Sequence, residues 1–240
     1  MTDLEMFADA MVQAHKTGIP ASVPVLELTA SDALAVQAKV MKTLGPVAGF
    51  KVGQGSEGAP ILAPIPQRYV VVHGGTRHVQ ERMGVELEIG FRVLQAPPDA
   101  SLPDRPERYF QPCVALELVE PRLAGDAAAD PMMKFADLQI NAGLVTGRDL
   151  ADWEGSDFGT VNATLTAGDT VVIDGAAKVP GGSALGNLGT LITHLGSHCG
   201  GLQPGQVVIT GSLCGLPWFG PGTTVTGQIE GLGEACVNLV

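Results

Sequence analysis

Hydrophobic residues recur at helical spacing in the first part of this chain and at alternating spacing in most of the rest. Over residues 4–16 the apolar positions repeat every three or four residues, which predicts an amphipathic helix. A second pattern of this kind covers residues 30–44 and ends at Gly45, a residue type that commonly follows a helix. We therefore predict an N-terminal helical cap over residues 1–45.

From residue 46 onward, short apolar segments are punctuated by Gly and Pro, a pattern typical of strands. Helical patterns interrupt them around residues 131–141 and 184–198. The strands follow one another too closely for regular βαβ alternation, so we predict an α+β fold in which residues 46–240 form one β-rich unit around a mixed, strongly curled or barrel-like sheet. The predicted strands lie near residues 47–53, 69–73, 84–94, 113–120, 160–166, 170–173, 206–210, 223–229 and 234–239.

Composition narrows the classes of partner. The 240 residues carry a formal net charge of -11, so no excess of positive charge exists to attract nucleic acid or an anionic membrane. The amino terminus has no basic segment followed by an apolar one, and we expect a cytoplasmic protein. The four cysteines form no CxxC pair and are expected to be free thiols.

Three glutamates lie within apolar segments. Exposure of one strand face to water does not fully explain their positions. Glu86 and Glu88 share one face of a predicted strand because successive side chains on a strand alternate between faces. Glu117 lies within a second apolar strand that is predicted to be buried on both faces. Like charges gathered in a buried place need a cation or hydrogen bonds, and three oxygen donors suit Mg²⁺ or Mn²⁺. The alternative for Glu86 and Glu88 alone is the water-facing side of an antiparallel sheet.

Lys51 is the other residue with candidate chemistry. It lies in a short apolar strand, and glycines two residues away on the same face, Gly49 and Gly53, leave space for a ligand. Desolvation would lower the pKa of this lysine and suit it to proton transfer, whereas a nearby carboxylate would oppose that shift. A lysine that extends from a strand edge into water is the alternative.

The segment that follows Lys51 contains a glycine pattern that resembles a dinucleotide-binding loop. Residues 53–58 fit G-x-G-x-x-G, but that loop must open a helix, and prolines at alternating positions follow here. We predict no nucleotide site.

Six short motifs in order resemble the 2-hydroxypenta-2,4-dienoate hydratase and 4-oxalocrotonate decarboxylase family of the fumarylacetoacetate hydrolase superfamily. They cover residues 49 to 240, and the resemblance is weaker over the helical N-terminus. The motifs are Gly49-Phe-Lys-Val-Gly53, Val85-Glu-Leu-Glu-Ile89, Ala115-Leu-Glu-Leu-Val-Glu-Pro-Arg122, Ala136-Asp137 with Asn141-Ala-Gly143, Ala184-Leu-Gly-Asn187, and Thr210-Gly-Ser212 with Pro221-Gly222 and Glu230-Gly-Leu-Gly233.

This resemblance implies a fold like the C-terminal domain of fumarylacetoacetate hydrolase and a hydratase that acts on 2-oxo or 2-hydroxy-dienoic acids of aromatic catabolism through a metal-stabilised enolate. Decarboxylation of the 4-oxalocrotonate type is the second activity it implies. Small 2-oxo acids are then the ligands, and the expected assembly is a homo-oligomer or a pair with a sister enzyme. The resemblance assigns Glu86, Glu88 and Glu117 to Mg²⁺ or Mn²⁺, Lys51 to catalysis, and Gly53, Asp137, Ser183 and Ser212 to the substrate.

The chain also departs from the family pattern, which leaves alternatives open. Leu138 stands where the family has Asn, Leu188 follows Asn187 where the family has Pro, and the segment over residues 54–66 is short and rich in proline. An acylpyruvate C–C hydrolase is one alternative, although the short segment lacks the His and Glu pair typical of that branch. A non-catalytic homologue that binds a keto acid is the other.

Overall fold

The computed structural model describes residues 2–54 and 60–240. Residues 55–58 of the glycine pattern, and residues 55–59 of the short segment over 54–66, therefore lie outside the described residues. Within the described residues, no helix is long and apolar enough to cross a membrane. The helices are α1 Asp3–Thr17, α2 Ala30–Leu44, α3 Pro131–Ala136 and α4 Ala184–Leu195. The strands are β1 Val47–Gln54, β2 Pro60–Pro66, β3 Val70–Val71, β4 Thr76–Arg77, β5 Met83–Val93, β6 Phe110–Val119, β7 Asn141–Thr146, β8 Thr160–Ala167, β9 Thr170–Lys178, β10 Val207–Ser212, β11 Trp218–Phe219, β12 Thr224–Ile229 and β13 Gly233–Leu239.

The two N-terminal helices form as predicted and pack on each other. Each begins with a capping box, Thr2 with Glu5 in α1 and Thr29 with Asp32 in α2, which satisfies backbone N–H groups at the helix start. Their apolar faces share a hydrophobic cluster with α3, so the helical layer also draws in Met133. The division of the chain at residue 45 remains a prediction.

Two sheets enclose the main core. The larger has strand order β2-β1-β10-β5-β6-β7-β3 with β11 beside β5, and the smaller has the order β4-β13-β12-β8-β9. β2 also contacts β7, although four strands, β1, β10, β5 and β6, lie between them in this order, so the larger sheet curls on itself. Leu87 and Leu116 of the larger sheet pack closely over Gly227 of β12, where a Cβ atom would collide with both side chains. The predicted α+β class with a curled, mixed sheet is confirmed.

Several elements differ from the sequence prediction, which contains no strand at the positions of β2, β4, β7 and β11. β2 contains prolines, and it is the edge strand of its sheet, where a missing N–H leaves no ladder bond unmade. The helix predicted over 131–141 stops at Ala136, because residues 138–140 all adopt positive φ, and the chain continues as β7.

Candidate metal centre

Strands β5 and β6 bring the three glutamates together. Glu86 lies directly opposite Glu117 in the antiparallel register, and Glu88 follows on the same face of β5. The intervening residues of β5, such as Leu87, point into the hydrophobic core and are fully buried. One carboxylate oxygen from each glutamate lies within 4.8 Å of those of the other two. The structure thus gathers the predicted metal ligands at one point.

Three ionised carboxylates gathered in a buried place are energetically unfavourable without a compensating charge. Glu117 is fully buried and Glu88 is 2% exposed. Burial raises the pKa of Glu86 to about 7, with a further contribution from Glu117 that Lys51 and the Ser212 hydroxyl partly offset. Burial, reinforced by the other two carboxylates, also raises the pKa of Glu88 well above its ordinary value. The protein therefore holds negative charge at a site where water alone does not stabilise it.

The two oxygens of Glu117 face different surroundings. Oε1 accepts hydrogen bonds from Lys51 Nζ at 2.5 Å and from Asn141 Nδ2 at 2.8 Å. Oε2 is buried and has no hydrogen-bond partner among residues 2–54 and 60–240. Buried polar atoms are nearly always partnered, so Oε2 indicates a ligand beside the other carboxylates. The cluster fits a hard divalent cation, which prefers oxygen ligands and compensates the gathered charge.

Lys51 lies across the curled sheet from β6, and its ammonium already has two hydrogen-bond acceptors. It donates to Glu117 and, at 3.3 Å, to the backbone carbonyl of Gln139. An ammonium has three N–H donors, so one remains available to a ligand. Burial acts to lower the pKa of Lys51, but the three carboxylates outweigh it, and the net pKa lies above the ordinary value. Of the two opposing effects expected from the sequence, the charge of the carboxylates outweighs desolvation.

The residues predicted to bind substrate fall into two groups. Gly53 is exposed on β1, two residues beyond Lys51 on the same face. Ser212 pairs with Glu88 across β10 and β5. Its hydroxyl also lowers the pKa of Glu86. These two residues adjoin the carboxylates and the lysine.

Ser183 and Asp137 have other contacts. Ser183 caps α4 by accepting a hydrogen bond from the Gly186 N–H at 2.7 Å, and it donates to Asp157. Asp137 is fully buried, and both of its carboxylate oxygens accept bonds from Arg122. The structure therefore does not support substrate contact for Asp137, because burial and the ion pair leave its carboxylate unavailable.

Three groups that position the site were not among the predicted site residues. Asn141 donates to Glu117, the Gln139 carbonyl accepts from Lys51, and the Gly211 N–H donates to Glu88 Oε2 at 2.5 Å. Asn141 and Gly211 both lie in motifs that the sequence displays. Nothing in the sequence marks Gln139, since its role depends on a backbone carbonyl in a left-handed turn.

Solved structures share the fold of this chain. No protein-family model matches the chain, and no curated protein sequence does. Similar structures include 4-oxalocrotonate decarboxylase from Pseudomonas putida G7 complexed with magnesium and adipate, at TM-score 0.82 and 20% identity over 100% of this chain and 99% of that one. The same enzyme complexed with calcium and acetate matches at TM-score 0.80 and 19% identity over the same shares.

A fumarylpyruvate hydrolase from Pseudomonas aeruginosa in complex with Mn²⁺ and pyruvate also matches. Its TM-score is 0.55 at 19% identity, over 75% of this chain and 78% of that one. Identities this low show a common fold. The fold implied by the six sequence motifs is therefore confirmed, and the chain matches the decarboxylase from end to end.

Proposed function

We propose that this chain is a divalent-metal-dependent lyase of the fumarylacetoacetate hydrolase superfamily that acts on small 2-oxo acids of aromatic catabolism. The observation that carries the proposal is the unpartnered Oε2 of Glu117 among three converging carboxylates, with Lys51 hydrogen-bonded to the other oxygen of the same glutamate. Metal-complexed structures of this fold support Mg²⁺ or Mn²⁺ as the cation.

Each residue of the site has a distinct proposed task. Glu86, Glu88 and Glu117 would hold the cation, which supplies Lewis acidity that favours enolisation of a 2-oxo acid. Lys51 would orient the acid and transfer a proton, because Glu117 and Gln139 accept from two of its three N–H donors and leave the third for a ligand. Gly53 leaves room beside the lysine, and Ser212 offers a hydroxyl next to Glu86.

Decarboxylation is the preferred reaction, with hydration second. The end-to-end match to a 4-oxalocrotonate decarboxylase supports the former, whereas the fumarylpyruvate hydrolase covers a smaller share of the chain. The sequence motifs alone favoured hydration. Both reactions would pass through an enolate of the 2-oxo acid, which loss of CO₂ forms in decarboxylation and which proton transfer and addition of water form in hydration. Hydrolysis of acylpyruvates and keto-acid binding without turnover remain outcomes of the test below.

The test incubates the purified protein with 4-oxalocrotonate, 2-hydroxypentadienoate and an acylpyruvate, with Mg²⁺, with Mn²⁺ and with EDTA. We expect CO₂ release from oxalocrotonate that EDTA abolishes and added Mg²⁺ restores. Ultraviolet absorbance would report hydration or hydrolysis of the other two acids. Turnover that persists in EDTA would contradict the proposal, and binding of these acids without turnover would favour the non-catalytic alternative.

Two variants separate the metal from the lysine. Glu88→Gln should weaken metal binding, measured by calorimetry, and reduce turnover with it, whereas the exposed Glu234→Gln should change neither. Lys51→Met should bind metal while losing turnover by about a hundredfold or more, the usual contribution of a positioned acid or base. Lys16→Met, at an exposed position of α1, is its matched control. Wild-type turnover in Lys51→Met would remove the proton-transfer role.

A further inference from the structure

A cavity lies at the end of α1, beside Tyr69, β4 and the segment that follows β6. Its volume is about 180 Å³, enough for several water molecules or one small ion. None of its lining residues is Lys51, Glu86, Glu88 or Glu117, so it is separate from the proposed metal centre. Its polar lining consists of His15, Tyr69, Arg77, Gln80, Glu120 and Arg122.

Two nitrogen atoms in this lining are buried without a partner. Arg77 Nε and His15 Nε2 have no hydrogen-bond partner among the residues that the structure describes. The His15 side chain is 0% exposed, and its other ring nitrogen lies 2.9 Å from the Tyr69 hydroxyl. The Arg77 guanidinium carbon lies 5.5 Å from the centre of the Tyr69 ring, within the range of a cation–π contact. Arg77 Nε is a donor in every protonation state of the cavity, and a buried donor without a partner indicates a ligand that carries acceptor atoms.

The charges around the cavity are positive on balance. Arg77 and Arg122 line it, and Arg68 lies close enough to act on both His15 and Tyr69. Glu120 also lines the cavity and opposes them. Asp137 is the other nearby acid, and Arg122 already takes both of its oxygens. Three cations against two acids stand out in a chain whose net charge is -11.

His15 adds a neutral polar group to this positive surrounding. Burial, followed by the charges of Arg122 and Arg68, lowers the pKa of His15 to about 2. The ring is therefore uncharged at neutral pH and offers a hydrogen-bonding edge without raising the positive charge. It lies 3.7 Å from Asp137 Oδ1, beyond hydrogen-bond distance.

We propose that this cavity binds a small oxyanion, a carboxylate or phosphate group, with Arg77 as the main ligand and Arg122, His15 and Gln80 around it. The guanidinium of Arg77 has the planar donor arrangement that matches such an anion. Arg122 contributes charge while its Nε stays paired with Asp137. The site is independent of the proposed enzymatic function, since it needs neither the cation nor Lys51.

Anion binding to the metal-free protein tests this proposal. The protein is kept in chloride buffer with EDTA at constant ionic strength, and inorganic phosphate and succinate are titrated separately by calorimetry and thermal unfolding. We expect saturable binding of at least one anion, and which of the two binds more tightly tells phosphate from carboxylate recognition. Arg77→Gln should weaken that binding by about tenfold or more, the effect of losing a hydrogen bond to a charged group.

Matched variants distinguish a loss of anion binding in the cavity from a folding defect and from an effect of the proposed metal centre. Gln80→Glu changes an exposed lining residue, should fold normally, and should abolish binding by placing a second acid beside Glu120. Arg108→Gln removes an exposed arginine outside the cavity and should leave binding unchanged, as should Glu88→Gln at the metal centre. No saturable binding of either anion, or equal binding in Gln80→Glu, would overturn the proposal and leave the cavity to water.

Discussion

At the scale of single residues, Glu117 links the lysine to the carboxylate cluster. Its Oε1 is held by Lys51 and Asn141, and its Oε2 remains for a cation. The alternation of β5 was enough to predict that Glu86 and Glu88 share a face. The Arg122–Asp137 pair was not predictable in the same way, because the chain must fold before residues 15 positions apart can meet. A buried acid therefore resembled a substrate ligand in the sequence.

Two glycines of β1 allow a sharp comparison at this scale. A Cβ atom at Gly49 would lie 1.9 Å from the carbonyl oxygen of Val207, whereas one at Gly53 would meet nothing within 4 Å. Gly49→Ala must push β1 away from β10 and should destabilise the protein by about 1–3 kcal/mol or more. Gly53→Ala should leave stability nearly unchanged. Urea unfolding of both variants measures this, and equal stability of the two would show that β1 can shift without cost.

At the scale of secondary-structure elements, the sequence predicted most helices and strands but misplaced those whose form depends on tertiary contacts. The alternating β5 and the capped α2 carry their own local signals. β7 does not, because the three residues before it adopt left-handed conformations that non-glycine residues rarely occupy. Such a turn survives only where surrounding structure holds it, and here the Arg122–Asp137 pair and the Gln139 contact with Lys51 do so.

The start of α4 gives a prediction at this scale. Ser183 was expected to bind substrate, while in the structure its hydroxyl caps the helix. Ser183→Ala should lower the free energy of unfolding by about 0.5–2 kcal/mol, the usual cost of a lost N-cap. Thr29→Ala removes the cap of α2, away from the site, and should cost a similar amount. The KM of Ser183→Ala should equal that of Thr29→Ala, and a selective increase would show that Ser183 also contacts the substrate.

At the scale of the whole molecule, ionisation of the carboxylates at the proposed metal centre lowers the stability of the fold. The pKa of Glu86 is about 7 in the folded protein, above the ordinary value of 4.5. The folded state therefore binds more protons than the unfolded state between these pH values, and this group lowers stability as the pH rises through that window. His15 has the opposite effect, since its pKa is lowered from 6.5 to about 2 and stability falls as the pH drops below 6.5.

A bound cation should reverse the effect of the carboxylates on the pH dependence of stability. It should leave the effect of His15 unchanged. Mg²⁺ must displace the protons that Glu86 and Glu88 hold, so its stabilising effect should be small at pH 5.5 and should grow as the pH rises toward 7, by up to about 1.4 kcal/mol per pH unit for each displaced proton. Urea unfolding in Mg²⁺ and in EDTA across this range gives the difference directly, and His15 cancels from it.

The variants Glu86→Gln and Glu234→Gln complete this experiment. Glu86→Gln removes the titrating group, so Mg²⁺ should stabilise that variant less and with a weaker dependence on pH. Glu234 is exposed on β13 of the smaller sheet and is not part of the carboxylate cluster, so its variant should follow the wild-type curve. A stabilisation by Mg²⁺ that is the same at pH 5.5 and pH 8 would mean that the cation does not compete with protons at these glutamates, and that it binds elsewhere.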